Sequence, residues 1–102
     1  MNFPKVTTKT VHYVNGDELV RWCNRSYDVD LDPVAAGEVP GDDSHGFMRL
    51  KITSWSQTLK DMDLKANKEK DRYSVSDKDF IEKALVENGQ PEGEYMLEFT
   101  WG

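Results

Sequence analysis

Val11-His12-Tyr13-Val14-Asn15-Gly16-Asp17-Glu18-Leu19-Val20-Arg21-Trp22-Cys23 changes its period in the middle, and the change organises the first third of the chain. From Lys5 to Val14 the residues alternate, with Val6, Thr8, Thr10, His12 and Val14 on one side and Thr7, Lys9, Val11 and Tyr13 on the other. A period of two predicts a strand. At Asn15 the pattern breaks: Asn15 is a capping residue, Glu18 stands three residues on as in a capping box, and Val14 and Leu19 hold the hydrophobic-staple positions. Leu19, Trp22, Cys23, Ser26 and Tyr27 then share one face at helical spacing, which predicts a short helix from about Gly16 to Tyr27.

The same grammar returns near the C-terminus. Ser76 is the cap, Asp79 the third helical residue, and Val75 with Phe80 the staple. Phe80, Ile81, Ala84 and Leu85 form the apolar stripe, Asp79 and Lys83 a four-residue ion pair, and Gly89 with Pro91 the stop. Two strands flank this helix. Phe47 to Trp55 alternates Met48, Leu50 and Ile52 against Arg49, Lys51 and Thr53, and Glu94 to Trp101 places Tyr95, Leu97, Phe99 and Trp101 on one face. Arg72 to Val75 adds a brief strand, giving the order βαββαβ. Aligning Val14 with Val75 brings Leu19 onto Phe80, Val20 onto Ile81 and Cys23 onto Ala84, so the two halves read as weak copies of one unit. The expectation is a single α+β domain over residues 1–102, with a small antiparallel sheet of three or four strands and two helices on one face, in a split βαβ order. The charged stretch at about 56–72 reads as a hairpin connection or loop, in which Leu59, Met62 and Leu64 can anchor a helical turn.

Charge is unevenly spread over the 102 residues, whose net charge is −6. Residues 26–48 carry six carboxylates and no lysine or arginine, and 73–102 carry seven acids against two bases, whereas 49–72 carry seven bases against four acids. The acidic loop at about 28–46 holds Asp28, Asp30, Asp32, Glu38, Asp42 and Asp43 among Pro and Gly residues. Long loops of this kind tend to be functional or disordered. Eleven percent aromatic residues argue against disorder of the whole chain. The balance disfavours direct nucleic-acid binding, which needs a concentrated basic face. It suits a protein partner with a basic surface.

Candidate chemistry is sparse. Cys23 is the only cysteine, so an internal disulfide and a structural zinc site are both excluded within this chain. Asp28-Val29-Asp30-Leu31-Asp32 has the alternating carboxylates of a calcium loop, but Pro33 stands where that loop needs Gly and Val39 where it needs Glu, so no metal is expected. Gly41-Asp42-Asp43-Ser44-His45-Gly46 contains the residue types of a nucleophilic triad, yet adjacency in sequence is a poor route to convergent side chains. Cys23 on an apolar helix face packs as a small hydrophobe, so pairing with His12 or His45 for catalysis is not expected. The βαββαβ order invites comparison with acylphosphatases, whose first loop cradles phosphate. At the matching junction Asp17 and Glu18 would repel phosphate, which rules that resemblance out.

The functional expectation is therefore noncatalytic: an acidic protein-binding module that inhibits or modulates a partner through that partner's basic, nucleic-acid-binding type of surface. Expected contacts are Asp28, Asp30, Asp32, Glu38, Asp42 and Asp43, a second acidic group of Glu94 and Glu98 with Glu92, and the aromatic anchors Trp55 and Trp101. Small acidic inhibitors encoded by phages, DNA mimics among them, are similar in general character only, through size and charge. No cofactor is expected. The alternative is a small structural or assembly protein that pairs with itself, as a homodimer, through an exposed C-terminal strand. Without a signal-like apolar run or a membrane-length segment, the expected compartment is the cytoplasm.

Overall fold

The computed structural model describes residues 3, 4, 6, 11–34, 39, 41, 42, 45–64 and 76–100. Strand β1 (His12–Asn15) runs directly into helix α1 (Gly16–Tyr27), because Asn15 keeps an extended backbone while its Oδ1 accepts the Glu18 N–H at 3.0 Å. The predicted residues before β1 lie largely outside the described ones. Strand β2 (Gly41–Asp42) forms within the expected acidic loop and pairs with the start of β3 (His45–Ile52). Helix α2 (Ser54–Leu59) follows at once, since extended Thr53 donates its N–H to Ser56 Oγ at 3.3 Å and stops the strand. Trp55 thus belongs to a helix and not to the strand predicted for it. Leu59 and Leu64 are buried, so the first part of the expected charged loop is anchored. The brief strand predicted at Arg72 to Val75 lies outside the described residues.

Helix α3 (Asp77–Glu87) starts at the predicted cap, where the Ser76 N–H donates to Asp79 Oδ2 at 3.0 Å. It ends at Gly89, whose φ of +80° favours glycine. Asp79 is engaged at the cap, and Lys83 instead donates through Nζ to the Leu59 and Lys60 carbonyls at 3.1 and 2.6 Å. The expected Asp79–Lys83 ion pair is therefore replaced by a cation that caps the C-terminus of α2.

Strand β4 (Gly93–Thr100) completes a four-stranded sheet of order β1-β4-β3-β2. It runs antiparallel to β3 and parallel to β1, so the α+β sheet is mixed and not wholly antiparallel. The C-terminal strand is also interior, which corrects the expectation of an exposed edge there. Its inward residues Tyr95, Leu97 and Phe99 are all buried in the core cluster with residues of the helices. The edges fall to β1 and β2, which are short, as edge strands tend to be.

His12, Val14, Met48, Leu50 and Ile52 join the β4 residues on the buried face, over which Leu19, Cys23, Phe80, Ile81 and Leu85 pack from the helices. Gly16 allows the close approach of α1 to the sheet. A Cβ there would stand 2.6 Å from the Phe99 ring and 2.8 Å from the Glu98 carbonyl oxygen. The glycine is required for packing and not for a phosphate.

Candidate functional site

Beyond Tyr27 the chain turns sharply and is gripped by one residue. Asp28 adopts a left-handed conformation with φ 54° and ψ 54°, and the Asn24 carbonyl accepts the Asp28 N–H and, at 3.3 Å, the Val29 N–H. The Asn24 side chain accepts the Leu31 N–H at 2.8 Å. From this turn the residues alternate: Asp28, Asp30 and Asp32 are exposed, whereas Leu31 and Pro33 are buried and Val29 half-buried against the core. The physical basis is a conflict resolved by period two, since carboxylates resist burial while their apolar neighbours favour it. Asp28, Asp30 and Asp32 thus lie outside the core, whereas Leu31, Pro33 and Val39 of the same loop are buried.

The result is an acidic ridge held by its backbone. Asp77 extends it, because the Asp32 N–H donates to Asp77 Oδ2 at 3.3 Å and so sets the start of α3 beside the loop. Beside the ridge a cleft of about 410 Å³ runs between the loop and α1, with Val20, Leu31, Pro33 and Phe99 as apolar lining and Asp17, Asp32 and Arg21 as charged lining. Asp17 is already committed, accepting from the Thr100 N–H and hydroxyl at 2.9 and 3.0 Å and tying the end of β4 to the start of α1.

A second cleft, of about 380 Å³, lies at the other end of α1. Three of its polar groups serve the fold: the Tyr27 hydroxyl donates to Glu87 Oε2 at 2.5 Å, and Lys83 caps α2. Burial and the Glu87 carboxylate both push the Tyr27 phenol upward, which keeps it a hydrogen-bond donor. Cys23 is likewise unsuited to nucleophilic work, since burial, and then Glu87, raises its thiol to about 12.

Only part of the expected contact set is brought together. Glu38, Asp43 and Trp101 lie outside the described residues, and of Asp42 only its backbone place in β2 is described. Trp55 is 52% exposed on α2. Glu94 and Glu98 are exposed on the face of β4 opposite its buried residues, away from the helices and the ridge, so the two acidic groups do not form one surface. Glu98 accepts from His45 Nε2 or pairs with it at 2.7 Å. Among the described residues no three His, Cys, Asp or Glu side chains converge as metal ligands, and no helix is long and apolar enough to cross a membrane. Sequence reasoning missed Asn24 and Asp77. The Asp-apolar-Asp alternation could have revealed the anchoring, but no local signal pairs Asp32 with a residue 45 positions away.

No protein-family model, curated protein or solved structure matches the chain.

Proposed function

We propose that this chain is a noncatalytic protein-binding module that presents Asp28, Asp30 and Asp32, extended by Asp77, to a partner with a basic surface. Binding there inhibits or modulates the partner, and a nucleic-acid-binding face is the surface class whose charge matches best. The observation that carries this reading is the alternation along the ridge. Its carboxylates point outward while Leu31 and Pro33 sit in the core and Asn24 clamps the main chain, so the acidic display is already ordered before a partner arrives. Preorganisation lowers the entropic cost of binding, and an array of one sign accelerates encounter with its opposite. In the second cleft the Tyr27 hydroxyl is committed to Glu87 and the Lys83 amine to capping α2, which favours binding over reaction.

The test is affinity capture from a lysate of the source cells, with the wild-type chain and the Asp28→Asn/Asp30→Asn/Asp32→Asn variant as baits, at low and high salt. Support is a basic protein recovered by the wild type, lost with the variant and released by salt, because exposed charge pairs are screened over about 8 Å at physiological ionic strength. Equal recovery by both baits, or recovery insensitive to salt, overturns the ridge as the contact.

A further inference from the structure

The sheet has one covered face and one open one. On the open face the cross-strand register places Tyr13 beside Met96 and Met96 beside Arg49, then Glu98 beside Phe47, and Glu94 beside Lys51. Tyr13 is 50% exposed and Phe47 40%, with Met96 half-buried between their strands. Tyr13 and Phe47 thus flank β4 from its two neighbouring strands, and exposed apolar and aromatic surface of this kind suits contact with another molecule. The charges around them run in columns. β3 carries Arg49 and Lys51, with His45 at its start, and β4 carries Glu94 and Glu98. Arg49, Lys51, Glu94 and Glu98 sum to zero on a chain of net charge −6, so the charge of this face does not oppose the approach of a second copy. Two glutamates on the interior strand also argue against a nucleic-acid strand as the occupant.

We propose that the open sheet face is the contact surface for a second copy of this chain. Columns of opposite sign on adjacent strands complement themselves. A two-fold axis parallel to the strands and midway between β3 and β4 sets each β3 over the β4 of the other copy, at the same height. Lys51 then faces Glu94 of the second copy, Arg49 packs its stem on Met96 between that copy's Glu94 and Glu98, and Phe47 faces its Glu98. This is an isologous contact, in which each pairing occurs twice. It uses side chains of the sheet face and no strand edge, so the interior place of β4 is no obstacle. The face spans roughly 26 Å along the eight-residue β3 and β4, and roughly 19 Å across only where the shorter β1 and β2 flank them. Such a patch lies at the small end of specific interfaces, so the association is weak and concentration-dependent.

The proposal is independent of the acidic ridge, which lies on the helix side of the sheet. Sedimentation equilibrium of the full chain, from about 10 μM to about 1 mM on the affinity scale of weak complexes, measures the association constant. The wild type is expected to dimerise within that range. Lys51→Glu alone and Glu94→Lys alone each lower the constant at least tenfold. Mixing the two variants restores it as a heterodimer, because its two pairs, one reversed and one native, each join opposite charges. Arg25→Glu, on the exposed side of α1, changes net charge as much as Lys51→Glu and leaves association within threefold of the wild type. Both reversals are on exposed residues, and circular dichroism of each variant verifies the fold. A wild type that stays monomeric at 1 mM overturns the proposal. So do single variants that associate as the wild type does, a mixture that fails to recover, or an Arg25→Glu effect as large as that of Lys51→Glu.

Discussion

Replacing Leu31 by alanine tests whether the acidic ridge is part of the folded body. Leu31 is 5% exposed and packs in the same core cluster as Leu19 and Phe80, and its N–H is held by Asn24. Truncating a buried leucine costs about 2–5 kcal/mol, the spread reflecting how far the site collapses around the lost atoms. A surface segment next to an open cleft can relax, which places the expected loss near the lower bound, at about 2–3 kcal/mol. For a domain of this size 1 kcal/mol moves Tm by roughly 4–8 °C, so the variant should melt roughly 8–24 °C below the wild type. Thermal unfolding followed by circular dichroism, with urea titration as a second measure, gives the number. The contrast is the triple Asp28→Asn/Asp30→Asn/Asp32→Asn variant, whose side chains remain exposed and keep an acceptor oxygen at each position. Asn also tolerates the left-handed backbone at residue 28, so its Tm should stay within about 2 °C of the wild type. A Leu31→Ala variant that melts with the wild type would refute the anchoring, and with it the preordered ridge.

Other perturbations probe the frame that positions the ridge and the open face. Gly16→Ala should cost about 1–3 kcal/mol, because the new methyl meets the Phe99 ring and the Glu98 carbonyl at less than 3 Å; an unchanged urea midpoint would contradict that close approach. His12 stacks on Tyr95 at 4.6 Å, while its buried Nδ1 has no hydrogen-bond partner among the described residues; His12→Phe keeps the stack, removes the orphan and should raise Tm, and a fall would show that the nitrogen is satisfied. Burial raises the pKa of Glu82, more than its Lys78 and Ser56 contacts lower it, so its contribution is full at acid pH and is lost as pH rises through the folded-state value. Glu82→Gln should therefore stabilise the protein at pH 7 with little effect at pH 3, and equal shifts at both pH values would sink the linkage. The Cys23 thiol, raised to about 12, should resist a disulfide reagent at pH 8 in the native protein and react on unfolding, whereas rapid stoichiometric labelling of the native chain would show it exposed.

Local chemistry alone determined the parts that depend on neighbours in sequence. Asn15 with Glu18 and Ser76 with Asp79 fix the helix starts, and Gly89 fixes a stop, because caps act within one turn. The alternation of Met48, Leu50 and Ile52, and of Tyr95, Leu97 and Phe99, told which face of each strand is buried. The carboxylates of the ridge were legible too, as a run of acids containing no lysine or arginine. Thr53, which ends β3 early and makes Trp55 helical, was readable only as a weak cap inside a strand pattern. Tertiary structure decided the rest. A strand of period two fits any position in a sheet, so only long-range pairing could put β4 in the middle, set β1 parallel to it and gather Tyr13, Phe47 and Met96 on one open face. The columns of opposite charge on β3 and β4 arise from the same pairing, and the grip of Asp77 on Asp32 from a loop–helix contact; each brings together residues that no window of sequence contains.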